Sequence, residues 1–336
     1  MSDTGFEALV IDEAEGGQRA AFRTLTLADL PDHDVTVEIA YSTVNYKDGL
    51  AVTGKGRIAR RLPMVAGIDL AGTVVESRDP HWQPGDRVLV NGWGLSETEW
   101  GGYARFQRLK PEWLTRVPDG FGLDEAMAIG TAGYTAALCV NRLEDWGTLG
   151  HDGLPVLVTG AAGGVGSVAV ALLAARGHTV AASTGRPETQ DYLSALGASS
   201  FVSREELSAA GPPLRKERWS GAVDSVGSTT LVSVLAELRR DSAVAACGLA
   251  GGADLPGTVM PYILRGVALI GVNSVTETHA RREAAWALLD ESLDRDKLAS
   301  MTRTVGLSEV PRIAEDILAG KVRGRVVVRV ADGDVS

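Results

Sequence analysis

Between Val156 and Ser167 the chain reads Val156-Leu157-Val158-Thr159-Gly160-Ala161-Ala162-Gly163-Gly164-Val165-Gly166-Ser167, an apolar run entering glycines that open a small-residue helix. Glycines let a backbone turn sharply and approach an anion held at the positive end of a helix. The neighbouring segments alternate. Strands are expected at 155–159, 179–183, 200–203, 221–225, 243–247 and 269–272, with helices at 166–176, 188–196 and 229–238. Such alternation with short connections predicts βαβ units and a parallel sheet. Inside that context the glycine loop is expected to cradle the diphosphate of a dinucleotide; outside it, the same loop would be only a packing turn.

The second strand decides which dinucleotide. An Asp or Glu at its end, about twenty residues past the loop, grips the ribose hydroxyls of NAD. This chain has Ser183-Thr184-Gly185-Arg186 there, with no carboxylate before Glu188. Hydroxyls and a guanidinium suit a 2′-phosphate through charge-assisted hydrogen bonds, so NADPH is expected. Arg204, after the third strand, either adds a second positive contact or is merely exposed.

The remainder bounds the function. At 336 residues the chain suits two cores rather than one. The first third is β-rich and barrel-like, with strands expected at 36–40, 68–75 and 87–90 behind a Gln83-Pro84-Gly85-Asp86 turn, and 325–330 is a strand expected to rejoin it. Helical spacing begins near Asp124. The 33 Lys and Arg against 43 Asp and Glu give a formal charge of −10, which argues against nucleic acid and anionic membranes as partners. Two cysteines, Cys139 and Cys247, in apolar surroundings suit free thiols in a reducing cytoplasm. The opening residues carry acids where a secretory signal is basic, and the longest weakly polar stretch, 161–175, is too short to span a bilayer. The five histidines are scattered without ligand spacing, and no Gly-x-Ser-x-Gly elbow is present, so neither metal catalysis nor hydrolysis has support. Hydride transfer remains.

Several blocks narrow this further: Val44-Asn45-Tyr46-Lys47-Asp48-Gly49, Pro63-Met64-Val65-Ala66-Gly67-Ile68-Asp69-Leu70-Ala71-Gly72, Ile129-Gly130-Thr131-Ala132-Gly133, Ala245-Ala246-Cys247-Gly248-Leu249 and Val259-Met260-Pro261-Tyr262-Ile263-Leu264-Arg265. With the order of elements, they resemble the medium-chain dehydrogenase/reductase superfamily, in its zinc-independent, quinone-oxidoreductase-like branch, and within that the NADPH-dependent acrylyl-CoA reductases. The likeness runs from about Phe6 to Val330. The zinc alcohol dehydrogenases of the superfamily carry a cysteine ligand near 45–48 and Gly-His-Glu where this chain has Gly67-Ile68-Asp69.

The resemblance implies an α/β fold: a GroES-like β-barrel domain at 1–129 and 300–336, and a Rossmann doubly wound parallel-sheet domain at 130–299. It implies metal-free reduction of acrylyl-CoA to propionyl-CoA, with hydride to the β carbon and a proton to the α carbon. Tyr46 is the first candidate at the nicotinamide and substrate; Asn45 and Asn91 are candidate donors to the thioester carbonyl, and equally turn caps. Carried over by motif, the diphosphate falls on Ala162, Gly163, Gly164 and Val165, and the 2′-phosphate on Thr184, Gly185 and Arg186. The nicotinamide end falls on Leu249, Ile263 and Ser274, the first two being equally at home in a core. Lys55, Arg57, Arg60 and Arg61 form a basic run that either meets CoA phosphates or is a solvated face. A homodimer through the strand at 269–272 is expected. A quinone or enone reductase, or a non-catalytic NADPH-binding protein, on the same scaffold stays open.

Overall fold

The computed structural model describes residues 5–330. Met1–Thr131 with Thr302–Ser336 form one compact unit, and Ala132–Met301 a second. The first four residues, part of the opening segment read as lacking a secretory signal, lie outside the described residues. Among the described residues, no helix is long and apolar enough to cross a membrane.

In the first unit, β1 (Phe6–Ala14) and β2 (Gly17–Leu25) form a hairpin around Gly16, whose φ of 86° suits the tight turn. β3 (Val35–Thr43) precedes helix α1 (Tyr46–Thr53), short strand β4 (Met64–Val65), β5 (Asp69–Ser77), β6 (Arg87–Asn91), β7 (Phe106–Leu109) and β8 (Thr115–Arg116). β3 is the hub. One edge pairs with β5, while the other is shared between β7 at Val35–Glu38 and a C-terminal strand at Tyr41–Thr43. Both edges of β3 are thus paired, and seven of its nine residues are buried.

The chain leaves this unit through α2 (Leu123–Trp146), whose helical geometry breaks at Gly130 (φ 49°, ψ −163°). A Cβ at Gly130 would lie 2.7 Å from the Arg325 guanidinium, so only glycine fits.

The second unit holds β9 (Val156–Val158), α3 (Gly164–Ala175), β10 (Val180–Thr184), α4 (Gln190–Leu196), β11 (Ala198–Ser203), α5 (Arg204–Ser208), β12 (Gly221–Asp224), α6 (Ser228–Glu237), β13 (Ala243–Ala246), α7 (Met260–Arg265), β14 (Ala268–Gly271), α8 (His279–Ser292) and α9 (Arg295–Ser300). Its strands are all parallel in the order β11-β10-β9-β12-β13-β14. Counted within the unit this is 3-2-1-4-5-6, the doubly wound order, with its topological switch between β9 and β12. The expected helix at 188–196 divides into a 3₁₀ turn at Pro187–Thr189 followed by α4.

The chain then returns to the first unit as β15 (Thr302–Gly306), α10 (Val310–Leu318) and β16 (Arg325–Arg329). β16 lies between β15 and β3. Its Val326 and Val328 join Leu9, Ile11, Val44 and Ile313 in one core cluster, so the tail is part of the barrel. α10 packs against α1 where Gly49 leaves room: a Cβ there would lie 2.7 Å from Ile317.

Candidate active site

The glycine loop follows β9 at the switch point, where open α/β sheets bind their ligands. α3 starts at Gly164 with Gly163 as N-cap and no side-chain cap, so its first-turn N–H groups are open to an anion. Gly166 packs on the loop itself; a Cβ there would lie 2.4 Å from the Gly160 carbonyl oxygen. Ala162 is buried, and its carbonyl accepts a hydrogen bond from Arg186 Nη2 at 3.4 Å. Gly163 ends the turn, and Gly164 and Val165 open α3.

At the end of β10 the Thr184 hydroxyl accepts from the Arg186 backbone N–H at 3.1 Å and lies 3.2 Å from Thr189 Oγ1. The Arg204 guanidinium folds over Gly185, 2.7 Å from where a Cβ would stand. Among the described residues no carboxylate pairs with Arg204. The structure thus brings Thr184, Gly185, Arg186 and Arg204 together, and links them to the diphosphate loop through Ala162.

The far side of the switch point is built around Asp224. Burial raises its carboxyl above the usual range, while Thr159 Oγ1 at 2.6 Å and the Gly227 N–H at 2.8 Å donate to it. These bonds tie the loops after β9 and β12 together. Leu249, just past β13, is 58% exposed and Ile263, on α7, is 72% exposed, so neither is a core residue. Ser274 follows β14, half-buried, with its carbonyl accepting from Arg282 at 3.2 Å.

In the first unit, Tyr46 is the first residue of α1 and is 42% exposed. Its hydroxyl makes no hydrogen bond among the described residues. Asn45 and Asn91 are buried and turned inward. Asn45 Nδ2 donates to Asp69 Oδ2 at 2.7 Å and Asp48 Oδ2 at 3.1 Å; Asn91 Nδ2 donates to Asp69 Oδ1 at 2.6 Å. Both amides are therefore spent on carboxylates instead of aimed at a substrate carbonyl.

Asp69 also accepts from the Thr131 N–H at 3.0 Å and its hydroxyl at 2.5 Å. Arg325, 2% exposed, donates to the Ala128 carbonyl, the Thr43 hydroxyl and Asn45 Oδ1. Beside them Asp48, fully buried, accepts from the N–H groups of Asn45 and Ile68. Burial and then the Asp69 charge push its carboxyl up to about 7. Asp69 at the start of an apolar strand is the sequence sign of this cluster.

These donors bear on zinc. Asp69's oxygens are taken by amides and a hydroxyl, and among the described residues no three His, Cys, Asp or Glu side chains form a metal site. The residues do not fit a zinc ion.

Known proteins agree with this architecture. Residues 31–119 match the alcohol dehydrogenase GroES-like domain and residues 164–291 the zinc-binding dehydrogenase domain. An acrylyl-CoA reductase, AcuI, of Ruegeria pomeroyi is 51% identical over 97% of this chain and 99% of its own. The putative quinone oxidoreductase YhfP of Bacillus subtilis is 43% identical over 97% and 99%. The crystal structure of the yhdH oxidoreductase of Salmonella enterica in complex with NADP superposes with a TM-score of 0.94 at 48% identity, covering 97% of this chain and 100% of that one. The chain belongs to the medium-chain dehydrogenase/reductase superfamily, in the branch that holds acrylyl-CoA reductases and quinone oxidoreductases.

Proposed function

We propose that this chain is an NADPH-dependent reductase of the carbon-carbon double bond of acrylyl-CoA, yielding propionyl-CoA. The observation that carries the reading is the end-to-end 51% identity with an acrylyl-CoA reductase. The cationic pocket at Gly185 supports the choice of cofactor.

Bound NADPH supplies the hydride taken up by the β carbon. Ala162, Gly163, Gly164 and Val165 hold its diphosphate, and Thr184, Gly185, Arg186 and Arg204 its 2′-phosphate. Leu249 and Ile263 offer exposed apolar surface, and Ser274 a neighbouring turn, to the nicotinamide end. As hydride reaches the β carbon, charge moves onto the thioester oxygen, which then needs a donor, and the resulting enolate takes a proton from water at the α carbon to give propionyl-CoA. We assign that donor to Tyr46, whose hydroxyl has no competing partner. Asn45 and Asn91 act indirectly: through Asp69 and Asp48 they hold the start of α1, and so the position of Tyr46.

The first unit takes the substrate and the second the cofactor. β14 is a sheet edge with half-buried Leu269 and Ile270, which suits pairing with a second copy as a homodimer. Free Cys139 and Cys247 suit a reducing cytoplasm.

An isotope experiment tests the reaction. With NADPH deuterated at the transferred position of C4, mass spectrometry of propionyl-CoA is expected to find one deuterium at the β carbon. NADPH consumption without that product, or product without the label, contradicts the proposal. The 43% identity with YhfP favours one rival, a quinone or free-enone reductase, which would transfer the label to those acceptors in preference.

A further inference from the structure

The loop leaving α1 carries four cations in seven residues, Lys55, Arg57, Arg60 and Arg61, in a chain of formal charge −10. Its backbone is pinned. The Gly54 N–H donates to the Ala51 carbonyl, the Gly56 N–H to Leu50 at 3.2 Å, the Arg60 N–H to Glu97 at 2.7 Å, and Gln18 Nε2 to the Ala59 carbonyl at 2.8 Å. Ala59 is buried, which leaves the basic side chains outward.

Arg60 pairs with Glu97 at 2.7 Å, a carboxylate it shares with Lys47 at 2.6 Å. Lys55, Arg57 and Arg61 are exposed, and among the described residues no carboxylate pairs with them. Arg57 and Arg60 line a groove of about 500 Å³ with Arg23, Asp12, Glu13 and Gln18, a size that suits a small-molecule ligand. Arg23 is held by Asp12 at 2.6 Å. The named lining carries three arginines against two carboxylates, with Lys55 and Arg61 on the same short loop. Lys55, Arg57 and Arg61, which no carboxylate among the described residues pairs with, repel each other, and an anionic ligand relieves that cost.

Spacing supplies the second argument. α1 has eight residues, so about 12 Å, at ~1.5 Å per residue, separates Tyr46 from the cations beyond its far end. That is of the same order as an extended pantetheine arm, which separates a thioester from the phosphates of coenzyme A. We propose that Lys55, Arg57 and Arg61 bind the diphosphate and 3′-phosphate of the acyl-CoA substrate while its thioester lies at Tyr46. The inference rests on the acyl-CoA reading above and names where that substrate is gripped.

The test compares acrylyl-CoA with acrylyl-pantetheine, which lacks the nucleotide, in the wild-type enzyme and in a Lys55→Ala/Arg57→Ala/Arg61→Ala variant. Loss of these contacts is expected to raise KM for acrylyl-CoA about tenfold with kcat nearly unchanged, and the difference is expected to shrink at high salt. KM for acrylyl-pantetheine is expected to stay put. Inhibition by 3′,5′-ADP against acrylyl-CoA is expected to weaken in step, while 2′,5′-ADP, which mimics the other cofactor's phosphate, competes with NADPH as before. Lys216→Glu, an exposed charge change in the second unit, controls for net charge. An equal loss on both thioesters, or an unmoved KM for acrylyl-CoA, overturns the inference. If instead wild-type enzyme reduces acrylyl-CoA no better than a free enone, the substrate reading itself falls.

Discussion

Replacing Asp69 by alanine removes the acceptor at the centre of the buried polar cluster. Three donors lose this acceptor, Asn91 Nδ2, the Thr131 N–H and the Thr131 hydroxyl, while Asn45 Nδ2 keeps Asp48. Each buried donor left unmade costs about 1–3 kcal/mol, although water entering the vacated space recovers part of it. One effect opposes these: the Asp69 charge raises the Asp48 carboxyl, so its removal relieves a repulsion. The balance is a loss of about 4 kcal/mol, or ~8–16 °C in Tm at ~2–4 °C per kcal/mol for a unit of this size. Calorimetry of wild type and Asp69→Ala measures it, and hydrogen exchange locates it, because protection of the Thr131 amide is expected to vanish. A Tm within about 2 °C of wild type, or a Thr131 amide still protected, refutes the cluster's role in holding this unit together.

Three further outcomes follow from other parts of the molecule. Arg204→Ala and Arg186→Ala are each expected to raise KM for NADPH about tenfold, the worth of one charge-assisted contact, without moving KM for NADH; equal effects on both cofactors contradict the 2′-phosphate pocket. Asp48 holds its proton to about pH 7 when folded, against an ordinary value of 3.8, so its stabilisation is full below the unfolded value and lost as pH rises through the folded one. Urea unfolding of wild type and Asp48→Asn is therefore expected to show a wild-type advantage that shrinks from about pH 4 to 8, and a pH-independent difference counts against it. Gly166→Ala drives a Cβ to within 2.4 Å of Gly160 O, whereas Gly163→Ala meets the same oxygen at 3.2 Å, so Gly166→Ala is expected to weaken NADPH binding more in a calorimetric titration; equal losses sink the packing argument.

The cofactor half was legible because its signals are local. Strand, glycines and helix follow each other within Val156–Ala175, and hydrophobic period alone separates them. Arg204 was left open because nothing in its neighbours says which way its guanidinium turns; the structure lays it over Gly185. Leu249 and Ile263, equally readable as core, stand exposed. The barrel was only partly legible. β2 is mostly exposed, with apolar Ala20, Ala21 and Phe22 side by side, so its hairpin with β1 lacked the alternation that marks a strand. The polar cluster was hidden because it assembles residues far apart in the chain: Asn45 meets Asp69 across 24 positions and Arg325 across 280. Asn45 and Asn91 were readable equally as carbonyl donors or turn caps, since an amide's direction is set by partners that only the fold supplies; Asn45 is the N-cap of α1. Arg325 was read only as a strand end, yet it is buried while Arg329, at the other end of the same strand, is exposed.

The most direct measurement is kcat/KM of the purified enzyme over four combinations: NADPH or NADH, with acrylyl-CoA or a free α,β-unsaturated ketone. The account predicts that NADPH with acrylyl-CoA exceeds each other combination by at least about tenfold, the worth of ~1.4 kcal/mol of selective transition-state contact. NADH serving as well as NADPH, or the ketone outrunning the thioester, contradicts it.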